Sequence, residues 1–218
     1  MGHLVLLGDS VFDNGAYVEA GAPGVAQQLR TRLPPSESVT LLAVDGARLA
    51  DVPAQIRDLP ASATHLFLSA GGNDALTYLD AIRARRSASV SFGAALQWLA
   101  AFRDDFAGRY APVVEALVET GRPVALCTVY SGRFEADLQR LVGAALPAIK
   151  EGIRGAALRK GPPLIGLGRA LGEPDRDYAT PIEPSAHGGR KIARALQAAY
   201  GTHDFEARET TVYAGTRT

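Results

Sequence analysis

Five short runs rich in Val and Leu recur along the chain with longer helical patterns between them, and this alternation narrows the fold more than any other feature. The runs are His3–Leu7, Val39–Val44, His65–Ser69, Val124–Val129 and Leu164–Leu167. They are apolar on both faces, as strands are when helices cover both sides of a sheet. Helical patterns span Gly24–Leu33, Asp51–Asp58, Ala94–Thr120, Phe134–Lys160 and Gly189–Tyr200. In the last of these Ile192, Leu196 and Tyr200 repeat at helical spacing. Pro112 and Pro147 fall inside two of the patterns and are expected to start new helices or kink old ones. Strands alternating with helices predict an α/β class: a three-layer α/β/α sandwich around a five-stranded parallel sheet with right-handed crossovers.

The strand order expected is 2-1-3-4-5, as in flavodoxin-like folds. In that order the chain reverses direction between strands 1 and 3, and ligands gather outside the carboxyl ends of those two strands. One domain over residues 1–200 is expected, followed by a polar, loosely held tail over 201–218. With 218 residues, 47% of them hydrophobic, the chain can bury a substantial core.

Charge excludes some partners. Twenty-three basic residues balance twenty-three acidic ones, so no overall field favours nucleic acid or an anionic membrane. The nearest basic run, Arg83, Arg85 and Arg86, reads as one solvated helix end. Cys127 is alone, which rules out a disulfide within the chain, and its apolar surroundings read as core. No apolar run approaches the ~20 residues of a membrane helix, so no membrane insertion is expected. The N-terminus lacks a leader pattern, and a soluble, cytoplasmic protein is the expectation.

Two polar, glycine-rich breaks stand at the predicted crevice. The first strand ends in Gly8-Asp9-Ser10 and the third in "LSAGGNDAL". The tripeptide alone turns up by chance in about one chain in twenty of this length, whereas "GGND" does so in on the order of one in several hundred. Ser10 alone reads equally as a helix cap, and Asn73 as a turn residue opening the next helix. Their joint placement at both strands of the switch point outweighs those readings.

In these blocks the sequence resembles the SGNH (GDSL) hydrolases, serine esterases, lipases, thioesterases and carbohydrate deacetylases on a flavodoxin-like sandwich. The resemblance implies Ser10 as nucleophile, Gly46 after strand 2 and Asn73 as oxyanion partners, and a histidine near the C-terminus, for which His187 in "IEPSAHGG" is the candidate. His203, beyond the last helix, fits less well.

The chemistry argues for the same residues. A serine hydroxyl needs a base to accept its proton during attack. Histidine takes and returns a proton near neutral pH. An oxyanion needs donors already aimed at it, and the Ser10 N–H, the Gly46 N–H and the Asn73 amide offer three.

The last block departs from the family's usual Asp-x-x-His followed by Pro. Three residues before His187 stands Pro184, which cannot orient an imidazole, and Gly188 follows it. Glu183, Asp175, Asp177 or a backbone carbonyl remain as orienting partners, and a histidine turned away from Ser10 is a further alternative.

Other chemistries lack their motifs: no Gly-x-Ser-x-Gly elbow, no Walker A loop, no His-Glu-x-x-His. No metal or other cofactor is implied. "GLGRALG" runs into "EPDRDY" and reads as a turn. Leu76, Tyr78, Leu79, Phe92 and Trp98 form either an acyl pocket or lid, or ordinary helix-face core. The expectation is therefore a hydrolase of a small-molecule carboxylic ester. The alternatives are an acyltransferase using the same serine and a catalytically impaired binding module on the same fold. Oligomeric state is not legible.

Overall fold

Parallel strands β1 (His3–Gly8), β2 (Ser38–Leu41), β3 (His65–Ser69), β4 (Val124–Cys127), β5 (Leu164–Ile165) and β6 (Val212–Tyr213) form one sheet in the order 2-1-3-4-5-6. The computed structural model describes residues 1–85, 90–207 and 209–213, with the Arg85 side chain excluded. Arg86 lies outside the described residues. The expected order is present, with a sixth strand added at the edge by the polar tail. Thr211 O accepts from Leu164 N, and Tyr213 O from Gly166 N.

Side chains alternate across a strand, and the sequence uses both directions. Val5, Leu7, Leu66, Leu68, Val124 and Leu126 point to one layer. There they meet α2 (Val52–Arg57), α4 (Phe92–Glu119) and α5 (Ala136–Lys160). Leu4, Leu6, Phe67, Ala125, Cys127 and Ile165 point to the other layer, against α1 (Val25–Arg30) and α8 (Ala186–Thr202). Cys127 is thus a buried core thiol, and burial pushes its pKa far up. Helix α3 (Gly72–Arg85) follows the "GGND" block directly.

Two sequence expectations are corrected. Pro112 and Pro147 lie inside the continuous helices α4 and α5, which overturns the alternative that they start new helices. Each comes four residues after a glycine, Gly108 and Gly143, with open space where a Cβ would be. A proline ring clashes with the carbonyl four residues back, and glycine there lets the backbone shift aside. "GLGRALG" is also not a plain turn: Leu167–Ala170 form one helical turn, α6, followed by α7 (Pro174–Asp177). Among the described residues no helix is long and apolar enough to cross a membrane.

Candidate active site

The junction after β1 is held unusually closely. Gly8 has φ +119°, and a Cβ there would stand 1.7 Å from Ser69 O. Only glycine permits this approach of β1 to β3. Gln55 of α2 completes the fixation, its Oε1 accepting from Gly8 N at 2.7 Å and its Nε2 donating to Gly8 O at 2.9 Å. Asp9 N donates to Ser69 O at 3.0 Å, and Asp9 O accepts from Phe12 N and Asp13 N. The chain therefore turns sharply at Ser10, which stands at the crevice predicted from the strand order.

Asp9 and Ser10 are both buried. Asp9 Oδ1 accepts from Val11 N at 3.2 Å. Burial pushes the Asp9 carboxyl up to about 7 against the pull of that bond, and the charges of Glu183 and Asp74 push the same way.

Ser10 Oγ donates to Glu183 Oε1 at 3.0 Å. Glu183 is fixed from its own backbone: its N–H donates to Thr180 Oγ1 at 3.0 Å and its O accepts from Ala179 N at 2.9 Å. The next carbonyl, Pro184 O, accepts from Asn14 Nδ2, while Asn14 Oδ1 accepts from Val25 N. Buried Asn14 so ties the loop after Ser10 to the segment that carries Glu183. The second carboxylate oxygen, Glu183 Oε2, is buried with no hydrogen-bond partner among the described residues. Burial raises the Glu183 pKa, the Ser10 hydroxyl lowers it, and the charge of Asp45 raises it further.

His187 is not brought to Ser10. Ser185 caps α8 by accepting from Gly188 N at 3.1 Å, which places His187 in the first turn of that helix. Its Nε2 stands 3.7 Å from Asp177 Oδ1 and 3.9 Å from Glu173 Oε1. Lys191 Nζ reaches the same two carboxylates, at 2.9 and 2.7 Å. His187 lines a separate surface cleft with Arg32, Arg190 and Arg194, and it is absent from the wall of the cavity around Ser10. Asp177 is committed to Lys191 and to the N–H of Glu173, and Asp175 is exposed and pairs with Arg133. The expectation that His187 faces Ser10, with Glu183 behind it as orienting acid, is therefore corrected in its placement. Glu183 itself meets the serine.

The signal for this was present in the sequence. Thr180-Pro181-Ile182-Glu183-Pro184 has the spacing of Asp-x-x-His followed by Pro, with threonine in place of the acid and glutamate in place of the histidine.

Asn73 lies on the cavity wall at the start of α3, and its Nδ2 donates to Ala47 O at 2.9 Å. One of its two amide hydrogens is so engaged, which leaves the other for a ligand. Its neighbour Asp74 is buried; Oδ2 accepts from Leu49 N at 3.0 Å and Oδ1 from Arg109 Nη1 at 2.7 Å. Asn73 and Asp74 thus both grip the loop that follows β2. Gly46 sits on an exposed turn of that loop, outside the cavity wall. The structure brings its neighbour's carbonyl to Asn73, and not Gly46 itself.

The cavity opens to solvent on one side. Leu76, Tyr78 and Leu79 line it as expected of a pocket. Phe92 does not: it is 79% exposed at the start of α4. Trp98 packs against Phe102 with the rings tilted at 57°, and Phe102 forms the wall. Among the described residues no group of three His, Cys, Asp or Glu side chains could hold a metal ion.

Residues 6–191 match the GDSL-like lipase/acylhydrolase family. No curated protein matches the chain. Solved structures share the fold at low identity. An extracellular lipase from Streptomyces rimosus is 18% identical, with a TM-score of 0.67 over 91% of this chain and 100% of that one. A member of the lipolytic G-D-S-L family from Veillonella parvula is 16% identical, with a TM-score of 0.68 over 93% and 100%. An acetylxylan esterase from Geobacillus stearothermophilus, solved as a catalytic serine mutant, is 15% identical, with a TM-score of 0.61 over 94% and 97%.

Proposed function

The chain belongs to the GDSL-like lipase/acylhydrolase family, and from that premise we propose that it hydrolyses carboxylic esters through an acyl-enzyme on Ser10, with Glu183 as the base. The observation that carries this reading is the 3.0 Å hydrogen bond from Ser10 Oγ to Glu183 Oε1 at the head of an apolar cavity.

Ser10 Oγ attacks the ester carbonyl carbon as its proton passes to Glu183. The C–O bond to the alcohol then breaks, and the proton on Glu183 goes to the leaving oxygen. Water attacks the acyl-enzyme, gives a proton to Glu183, and Ser10 recovers it as the acid departs. A carboxylate is a weaker base than imidazole, and the raised pKa of Glu183 narrows that difference. The Ser10 N–H and the second amide hydrogen of Asn73 are the oxyanion donors in this scheme. Asn73→Ala is expected to lower kcat about a hundredfold with little change in KM, as loss of one such donor does. Steady-state kinetics on p-nitrophenyl butyrate check this.

The reading itself is tested by the hydrolysis of the same ester by the wild-type protein and by Ser10→Ala, with labelling of the serine by a fluorophosphonate. Turnover and labelling that both vanish in the variant support it. Equal background rates and no label at Ser10 overturn it and leave a binding module on a hydrolase fold. An added acceptor alcohol that diverts the acyl group into a new ester identifies a transferase.

A further inference from the structure

We infer that the group taken up by the cavity is the acyl chain of the ester, and that it is a linear chain of about eight to ten carbons and not an acetyl group on a sugar. This rests on the ester hydrolase reading and adds the substrate class.

The argument is one of wall chemistry and length. Helix α3 runs from Asn73, beside the serine, past Leu76 and Leu79 to Ile82, and all of these line the cavity. The nine steps from Asn73 to Ile82 rise about 13 Å along the helix axis. Helix α5 faces them with Val142, Ala145, Leu146 and Ile149, the spacing of a single helix face. An extended chain advances about 1.2 Å per bond, so eight to ten carbons span about 10 to 12 Å, close to the length of that wall.

Polar side chains gather at one end only. Asp9, Ser10, Ser69 and Thr128 come from strand ends and Ser131 from the loop after β4, and Asn73 and Glu183 join them. Farther along, the two tyrosine hydroxyls of the wall are already engaged. Tyr130 OH donates to Ile182 O at 2.7 Å. Tyr78 OH donates to Asp105 and accepts from Arg109 Nη2. A sugar ring needs hydroxyl partners along its length, and burying its hydroxyls against leucine and isoleucine without them is costly. A polymethylene chain needs none.

Calorimetry with decanoic acid, on the wild-type protein and on Ser10→Ala, reads the cavity without catalysis. Micromolar binding by both is expected. In kinetics, kcat/KM should rise at least about a hundredfold from p-nitrophenyl acetate to the octanoate, since each of the six added methylenes contributes about twofold to fourfold when buried. Ala145→Trp, placed on the α5 wall, should remove most of that gain. Should that variant not fold, decanoic acid binding still decides. No binding at millimolar decanoic acid, together with a flat or falling chain-length series, overturns the inference while the hydrolase reading stands. Tight decanoic acid binding with no ester turned over sinks the hydrolase reading and leaves the chain-binding cavity.

Discussion

Glu183→Gln is expected to lower kcat/KM about a thousandfold for any ester the protein cleaves, within the range that a positioned general base contributes. Glutamine keeps the size and can still accept from Ser10 Oγ, but it cannot take the proton. The wild-type pH profile carries the distinguishing information. Glu183 must be ionised to act, so the rate rises with pH through its pKa and then levels. Burial raises that pKa above the ordinary glutamate value of 4.5. Glu183→His offers an imidazole at the same place, following the spacing Thr180-x-x-Glu183-Pro184. It should retain measurable turnover and move the rising limb toward about 6.5. His187→Ala, in the cleft beside Glu173 and Asp177, should stay within about twofold of wild type. A large loss in His187→Ala with a mild effect in Glu183→Gln would return the base to the histidine and refute this geometry.

The contrast between these two residues shows what the sequence can carry. Ser10 and Asn73 were legible because each sits where a strand ends, and strand ends are marked by a change from apolar runs to glycine and polar residues. The central strands were legible for the same reason: both faces are buried, so Leu4 to Leu7 or Leu66 to Leu68 read as continuous apolar sequence. Strand β6 gave no such sign, because Val212 and Tyr213 join the sheet edge through backbone pairing and Val212 remains exposed. His187 is expected at the serine from its residue type, whereas the proline after Glu183 marks the side chain that the fold brings there. The burial of Asp9 was not readable at all. The start of α3, with Gly72 and Asp74, and the distant segment that carries Glu183 both come up against its carboxyl.

That burial has a consequence for stability that can be measured apart from any activity. With its carboxyl at about 7 in the folded protein against an ordinary value of 3.8, Asp9 holds a proton in the native state that the unfolded chain releases. Between those two values the native state binds more protons than the unfolded one, so stability falls as pH rises through the window. Above about pH 7 the loss is complete and amounts to about 4 kcal/mol, an upper figure because the buried site can relax. Asp9→Asn retains an acceptor for Val11 N and removes the charge. Its melting temperature should match wild type near pH 4 and exceed it by about 10 °C at pH 8, given the usual dependence for a domain of this size. Glu183, whose pKa is also raised, titrates in the same direction and leaves a smaller residual slope in the variant. Parallel melting curves for the two proteins from pH 4 to pH 8 would assign the slope elsewhere. A slope lost with Asp9→Asn would show that the residue beside Ser10 lowers the stability of the fold as its carboxyl ionises.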